Sequence, residues 1–103
     1  MKRFIYLIEN EDNGYIKIGI GVNPNQRIKA LQTGSTGKLK LLYKKEVQFA
    51  SKIESVLHRQ YKEQRISGEW FDLYGFDLKD IYYQIDVTEK NFIMLKEYDN
   101  PFI

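Results

Sequence analysis

Two short apolar runs, Phe4 to Glu9 and Tyr15 to Ile20, flank Asn10-Glu11-Asp12-Asn13-Gly14, and this arrangement constrains the fold more than any other feature of the chain. The runs are rich in β-branched and aromatic residues and the segment between them carries turn chemistry, so the opening reads as an antiparallel hairpin. Alternation with a period of two assigns the faces. Ile5 and Leu7 join Ile16, Ile18 and Ile20 on one apolar face, while Tyr6 shares the other with Tyr15, Lys17 and Gly19. A tyrosine, a lysine and a glycine converging on one face of a hairpin suit a chemical site better than a core.

The remaining pattern is mixed. Asn23-Pro24 is a helix start, the asparagine capping free N–H groups and the proline occupying the first helical position, and the helix runs to about Gln32 with Ile28 and Leu31 inward. Thr33-Gly34-Ser35-Thr36-Gly37 breaks it, and Leu39 to Val47 supplies a third strand. Phe49 to about Glu63 is the longest helix, with Ala50, Ile53, Leu57 and Tyr61 spaced as a buried stripe and Glu54 and His58 together beside it. Phe76 to Ile85 reads as a further helix, and Thr88 to Tyr98 fits helix or strand. The expectation is an α/β (α+β) fold: a three-stranded antiparallel sheet flanked by helices, in one domain with a core over residues 3–73 and an acidic C-terminal extension over 74–103.

Composition narrows the chemistry. The 103 residues contain no cysteine and one histidine, which excludes disulfides, thiolate zinc sites and multi-histidine sites. A metal here is expected to be Mg²⁺ or Mn²⁺ on oxygen. Met1-Lys2-Arg3 and the apolar run after it are a poor signal peptide, because the run stops at Glu9 and no small-residue cleavage site follows, so a soluble cytoplasmic protein without membrane contact is expected. Net charge is only +2, but it is segregated: residues 17–65 carry eleven Lys or Arg against three acids, and residues 66–103 carry three against eight. The middle of the chain is therefore a candidate polyanion-binding surface, with Lys29, Lys38, Lys40 and Lys44 as candidate nucleic-acid contacts. Gly34-Ser35-Thr36-Gly37-Lys38 is only half of a nucleotide-binding loop, since Gln32 stands at the place of its first glycine and Leu39 follows the lysine.

Within the basic segment and its borders lie Tyr6, Lys17, Arg27, Glu54 and His58, residue types that together bind a phosphate, hold a hard cation and move a proton. Ile5-Tyr6 on a first strand, Lys17-Ile18-Gly19 on the second, Arg27 in the first helix, a later helix bearing Glu54, and Gly68-Glu69-Trp70-Phe71 beyond it resemble the GIY-YIG nuclease superfamily. Leu31-Gln32-Thr33-Gly34 and the Gly-Glu-Trp-Phe motif are similar to its small phage- and bacteria-associated branch. The resemblance covers residues 3 to 73 and implies metal-dependent cleavage of DNA phosphodiesters.

Carried residue by residue, the resemblance makes Tyr6 the base or hydrogen-bond relay for the attacking water, Arg27 the grip on phosphate oxygens, and Glu54 the metal ligand. Lys17 stands where the second motif usually has tyrosine and Phe4 where the first has glycine; Tyr15, on the same face, is the candidate to replace the missing hydroxyl. His58 is a candidate acid or base, and Glu69 reads either as a partner to Arg27 or Lys17 or as a surface acid. The expected activity is endonucleolytic hydrolysis of DNA, with RNA an alternative substrate; the oligomeric state is not set by the sequence. A catalytically degenerate module of the same fold that grips nucleic acid or a protein is the rival reading, and an interaction protein using the acidic C-terminal third is a third.

Overall fold

The computed structural model describes residues 3–98. The start of the Met1-Lys2-Arg3 segment and the last five residues of the acidic extension lie outside them. The hairpin is present as β1 (Arg3–Asn10) and β2 (Ile16–Gly21), paired antiparallel with Tyr6 opposite Gly19 and Ile8 opposite Lys17. Its turn closes on side-chain chemistry: Asn10 Oδ1 accepts the Asp12 N–H, Asn13 Oδ1 accepts the Tyr15 N–H, and Gly14 takes φ +75°. Helix α1 (Pro24–Thr33) starts on Asn23, whose side chain accepts the Gln26 N–H with proline in the first turn. After β3 (Leu39–Val47) and α2 (Ala50–Gln60), a single 3-10 turn leads into β4 (Arg65–Ser67) and β5 (Trp70–Phe71), and α3 (Leu78–Glu97) ends the described chain.

Among the described residues the sheet has five strands, in the order β3-β1-β2-β5-β4, and not the three expected. The two additional strands are three and two residues long, too short for alternation to be read, and a turn at Gly68 with φ +54° joins them. The C-terminal region is one helix, not a helix followed by an ambiguous stretch. Asp77 caps it by accepting the Lys79 N–H, and Ile81, Ile85 and Glu89, spaced four apart, are all buried along one face. Packing thus carries the helix through Val87-Thr88, whose β-branched side chains obscure the pattern.

The sheet separates two apolar clusters. Ile5, Leu7, Ile16 and Ile18 pack with Ile53 and Leu57 of α2, Phe71, and Ile81 and Ile85 of α3; on the other face Tyr6, Ile8 and Leu39 pack with Ile28 and Leu31 of α1 and with Trp70. The faces assigned from sequence are those observed. Helix α3 is further attached by stacking of Tyr82 on Tyr43, with ring centroids 4.1 Å apart, and by the Lys45–Asp86 ion pair.

Glu89 closes the arrangement. Helix α2 has no side-chain cap of its own at Phe49, and the Glu89 carboxylate, buried on α3, accepts the N–H groups of Gln48 (2.7 Å) and Phe49 (3.2 Å) at its start. A capping acid is thus supplied from forty residues away in sequence, at the helix end whose partial positive charge it complements. Glu89→Ala is expected to lower stability by about 1–2 kcal/mol in denaturant unfolding, whereas the same change at exposed Glu97 is expected to be nearly neutral. Among the described residues no helix is long and apolar enough to cross a membrane.

Candidate active site

The site forms where the edge of β2 runs out of strand partners. Strand β5 pairs with β2 only at Ile16–Phe71 and Lys17–Trp70. One residue further, the Ile18 N–H still donates to the Glu69 carbonyl at 3.0 Å, but the Ile18 carbonyl is met by His58 Nε2 at 2.9 Å, from α2. A carbonyl only accepts, so Nε2 carries a hydrogen, and in the neutral imidazole the lone pair is then on Nδ1. The Phe71 ring, 5.0 Å from the imidazole centroid, holds the histidine from one side. At this edge α2, lying on one face of the sheet, can reach groups that belong to the other.

From that other face come Tyr6 and Lys17. The Tyr6 side chain is buried directly over Gly19, and a Cβ at position 19 would lie 2.7 Å from its Oη. The glycine is therefore required by the tyrosine. Arg27, exposed on α1, acts on the phenol and favours its ionised form. Burial raises the Tyr6 pKa above its ordinary value; Arg27 opposes this, and the Glu69 and Glu54 charges reinforce it. Tyr6 is thus a neutral phenol at pH 7, able to donate or relay a proton but not present as a phenolate. Lys17 is buried, with its ammonium 2.9 Å from Glu69 Oε1 and 5.8 Å from the centre of the Trp70 ring. Of the two readings open for Glu69, partner or surface acid, the ion pair with Lys17 is the one observed.

Glu54 lies one helical turn before His58. Burial, then a hydrogen bond to Glu69 and the Glu69 charge, push its carboxyl up to about 7 against the pull of Lys17 and Arg3. For Glu69 burial acts in the same upward direction, but hydrogen bonds from Lys17 and Glu54 outweigh it and hold the carboxyl below the ordinary range. The two carboxyls therefore titrate as a pair, the last proton leaving them near neutrality. Among the described residues the Glu54 Oε2 is buried without a hydrogen-bond partner, and Glu54, His58 and Glu69 each offer a ligand atom within 4.8 Å of the others. An orphaned buried carboxylate oxygen beside a second carboxylate fits a hard divalent cation, which would displace that last proton.

The raised carboxyl has a consequence for stability without metal. A group whose pKa is about 7 folded and 4.5 unfolded contributes stability that is complete below pH 4.5 and lost as pH rises through 7. Glu54→Gln in EDTA is therefore expected to gain on the wild type between pH 5 and 8, by roughly 1 kcal/mol once solvent screening of this half-exposed group is allowed for. Paired thermal melts across that range check the sign.

Tyr6, Lys17, Arg27, Glu54 and His58 are thus brought together, with Glu69 added between Lys17 and Glu54. Tyr15 is not among them: it lines a separate cavity beyond Trp70. Of the basic candidates, Lys44 sits opposite Tyr6 on β3 with its ammonium 5.7 Å from the Phe4 ring, Lys40 sits opposite Glu9, and Lys29 and Lys38 are exposed on α1 and on the loop after it. The sequence signal for Glu69 lay in the Gly-Glu-Trp-Phe motif, whose Trp70 pairs with Lys17; what it lacked was the strand register that makes them neighbours.

The family model described as the T5orf172 domain matches residues 3–86, which covers the sheet, α1, α2 and the first half of α3. Comparison with curated proteins and with solved structures found no match.

Proposed function

We propose, from the premise that the chain belongs to the T5orf172 domain family, that it is a small GIY-YIG-type endonuclease that hydrolyses DNA phosphodiesters with a divalent cation, Mg²⁺ or Mn²⁺. A nuclease-like or DNA-binding function is what family membership supports; the finer reading rests on the site. The observation that carries it is the buried oxygen of Glu54, left without a partner among the described residues, in a cluster with His58 and Glu69 that Lys17 joins through its ion pair with Glu69 and that acts electrostatically on Tyr6.

Glu54 would hold the cation in this reading, with Glu69 in reach. When bound, the ion neutralises charge on the scissile phosphate and acidifies water. The protein supplies the rest. The Arg27 guanidinium, beside Tyr6 and open to solvent, grips phosphate oxygens and stabilises the charge that grows on them during attack. The Lys17 ammonium, held by Glu69, adds a fixed positive charge at the same place. The neutral Tyr6 phenol orients the attacking water and relays its proton, and His58 Nδ1 is the acceptor whose partner nitrogen is already committed to the Ile18 carbonyl.

Supercoiled plasmid incubated with the protein tests this directly. Nicking in Mg²⁺ or Mn²⁺ that stops in EDTA is expected; absence of nicking in both metals overturns the reading. A binding module without turnover is favoured by one observation, the engagement of Lys17 with Glu69 where the superfamily usually has tyrosine. Metal-indifferent DNA retention that weakens steeply with salt, with no nicking, is its signature.

A further inference from the structure

Between the β1–β2 turn, the C-terminal end of α1 and β4 lies a cavity of about 520 Å³, which the reaction just proposed does not use. Its size falls within the range of small-molecule sites. Two of its walls are aromatic, Tyr15 and Trp70, and Leu31 and Ile66 add apolar surface. Asn10 and Asn13 stand at its rim. Their side-chain oxygens are committed to the turn as acceptors for the Asp12 and Tyr15 N–H groups, which fixes each amide and leaves its NH₂ group as the donor. The cavity thus combines flat π surfaces with two side-chain amides whose oxygens are already committed, and among the described residues no charged side chain lines it.

Its position decides what such a cavity takes. Trp70 is both a wall of it and the ring over which the Lys17 ammonium sits, 5.8 Å from the centroid. Tyr15, just before β2, and Lys17 within it lie two residues apart, about 7 Å in extended chain. A neutral aromatic compartment therefore adjoins the cationic part of the site, an arrangement complementary to a nucleotide: anion on one side, flat heterocycle on the other.

We infer that this cavity receives an unpaired nucleobase of the strand whose phosphate lies at Lys17 and Arg27, stacked against Tyr15 or Trp70 with its edge toward the Asn10 and Asn13 amides. A base in a duplex is already stacked and paired and cannot enter, so the preferred ligand is single-stranded DNA or a duplex with a displaced base. The inference rests on the phosphodiesterase reading only for the placing of the phosphate; occupancy by a base requires no cleavage.

Trp70 is the only tryptophan of the chain, so its fluorescence reports on the cavity wall. The 103-residue chain in EDTA is titrated with a short single-stranded oligodeoxynucleotide and, separately, with an abasic oligomer of equal length and charge. Saturable quenching by the first is expected, with the abasic oligomer binding on the order of 10-fold more weakly and without quenching. Tyr15→Ala is expected to reduce that discrimination, and Tyr15→Phe to keep it. Equal affinity and equal fluorescence response for the two oligomers overturn the inference on the wild-type protein alone, whatever the variants do. Base-dependent quenching without plasmid nicking removes the nuclease reading and leaves the cavity assignment; nicking with no base dependence does the reverse.

Discussion

Glu54→Gln is expected to abolish plasmid nicking, a loss on the order of 10³-fold in rate, in a protein that folds as well as the wild type or better. The two halves of this expectation come from the same atoms. The Glu54 carboxyl is uncomfortable where it is: burial and Glu69 push its pKa up to about 7, and Oε2 has no hydrogen-bond partner among the described residues. Glutamine keeps the shape, removes the ionisable group, and leaves Glu69 its ion pair with Lys17. A residue whose removal stabilises the fold at pH 8 while ending activity is retained for chemistry and not for folding. If instead the variant still nicks in Mg²⁺ at a rate near that of the wild type, the metal ligand is elsewhere and the assignment of Glu54 fails. Loss of folding, read as a lowered melting temperature in EDTA at pH 8, contradicts the electrostatic account of this carboxyl.

Legibility from sequence followed the range of the interactions involved. The hairpin, the start of α1, β3 and the buried stripe of α2 were readable because period, caps and turn residues are local. The extra strands were not, because Trp70-Phe71 becomes a strand only by lying against Ile16-Lys17, fifty residues earlier. Nor was the capping of α2, since Glu89 looks from sequence like one more acid of the C-terminal third and only packing of α3 reveals it as buried. That third is acidic in composition, yet its described part attaches to the core through Glu89 and Ile81 and pairs Asp86 with Lys45 of the basic segment.

The site shows the same division. Its members were named from motif positions, and period two placed Tyr6, Lys17 and Gly19 on one face. Meeting Glu54 and His58 required an event that no pattern announces, the ending of strand pairing on β2 after Lys17, which opens the sheet edge to α2. Tyr15 shows the limit of face assignment: it lies on the side of Lys17, but two residues of strand carry it past Trp70 into a different compartment.

Gly19→Ala carries the second large effect, and it tests the packing that positions Tyr6. A Cβ at residue 19 would stand 2.7, 2.8 and 2.9 Å from Oη, Cζ and Cε1 of Tyr6, closer than carbon contacts allow. The ring has nowhere to retreat, since it is 1 % exposed and packed in the cluster with Ile8, Leu39 and the inner side of α1. Either the tyrosine leaves its place or β1 and β2 separate. The expected cost is about 1–3 kcal/mol in denaturant unfolding, together with a loss of nicking on the order of 10²-fold from misplacement of the phenol by about 1 Å. Gly21→Ala is the control, because a Cβ there meets only Tyr6 Cε2 at 3.8 Å, an ordinary contact; it is expected to stay close to the wild type in both measurements. Adding Tyr6→Phe to Gly19→Ala removes the nearest of the three contacts but not the other two, so stability is expected to recover in part while nicking does not. Should Gly19→Ala match Gly21→Ala in stability and nicking alike, the glycine is not the seat of the tyrosine, and the geometry from which Tyr6 would relay a proton is not the one that operates.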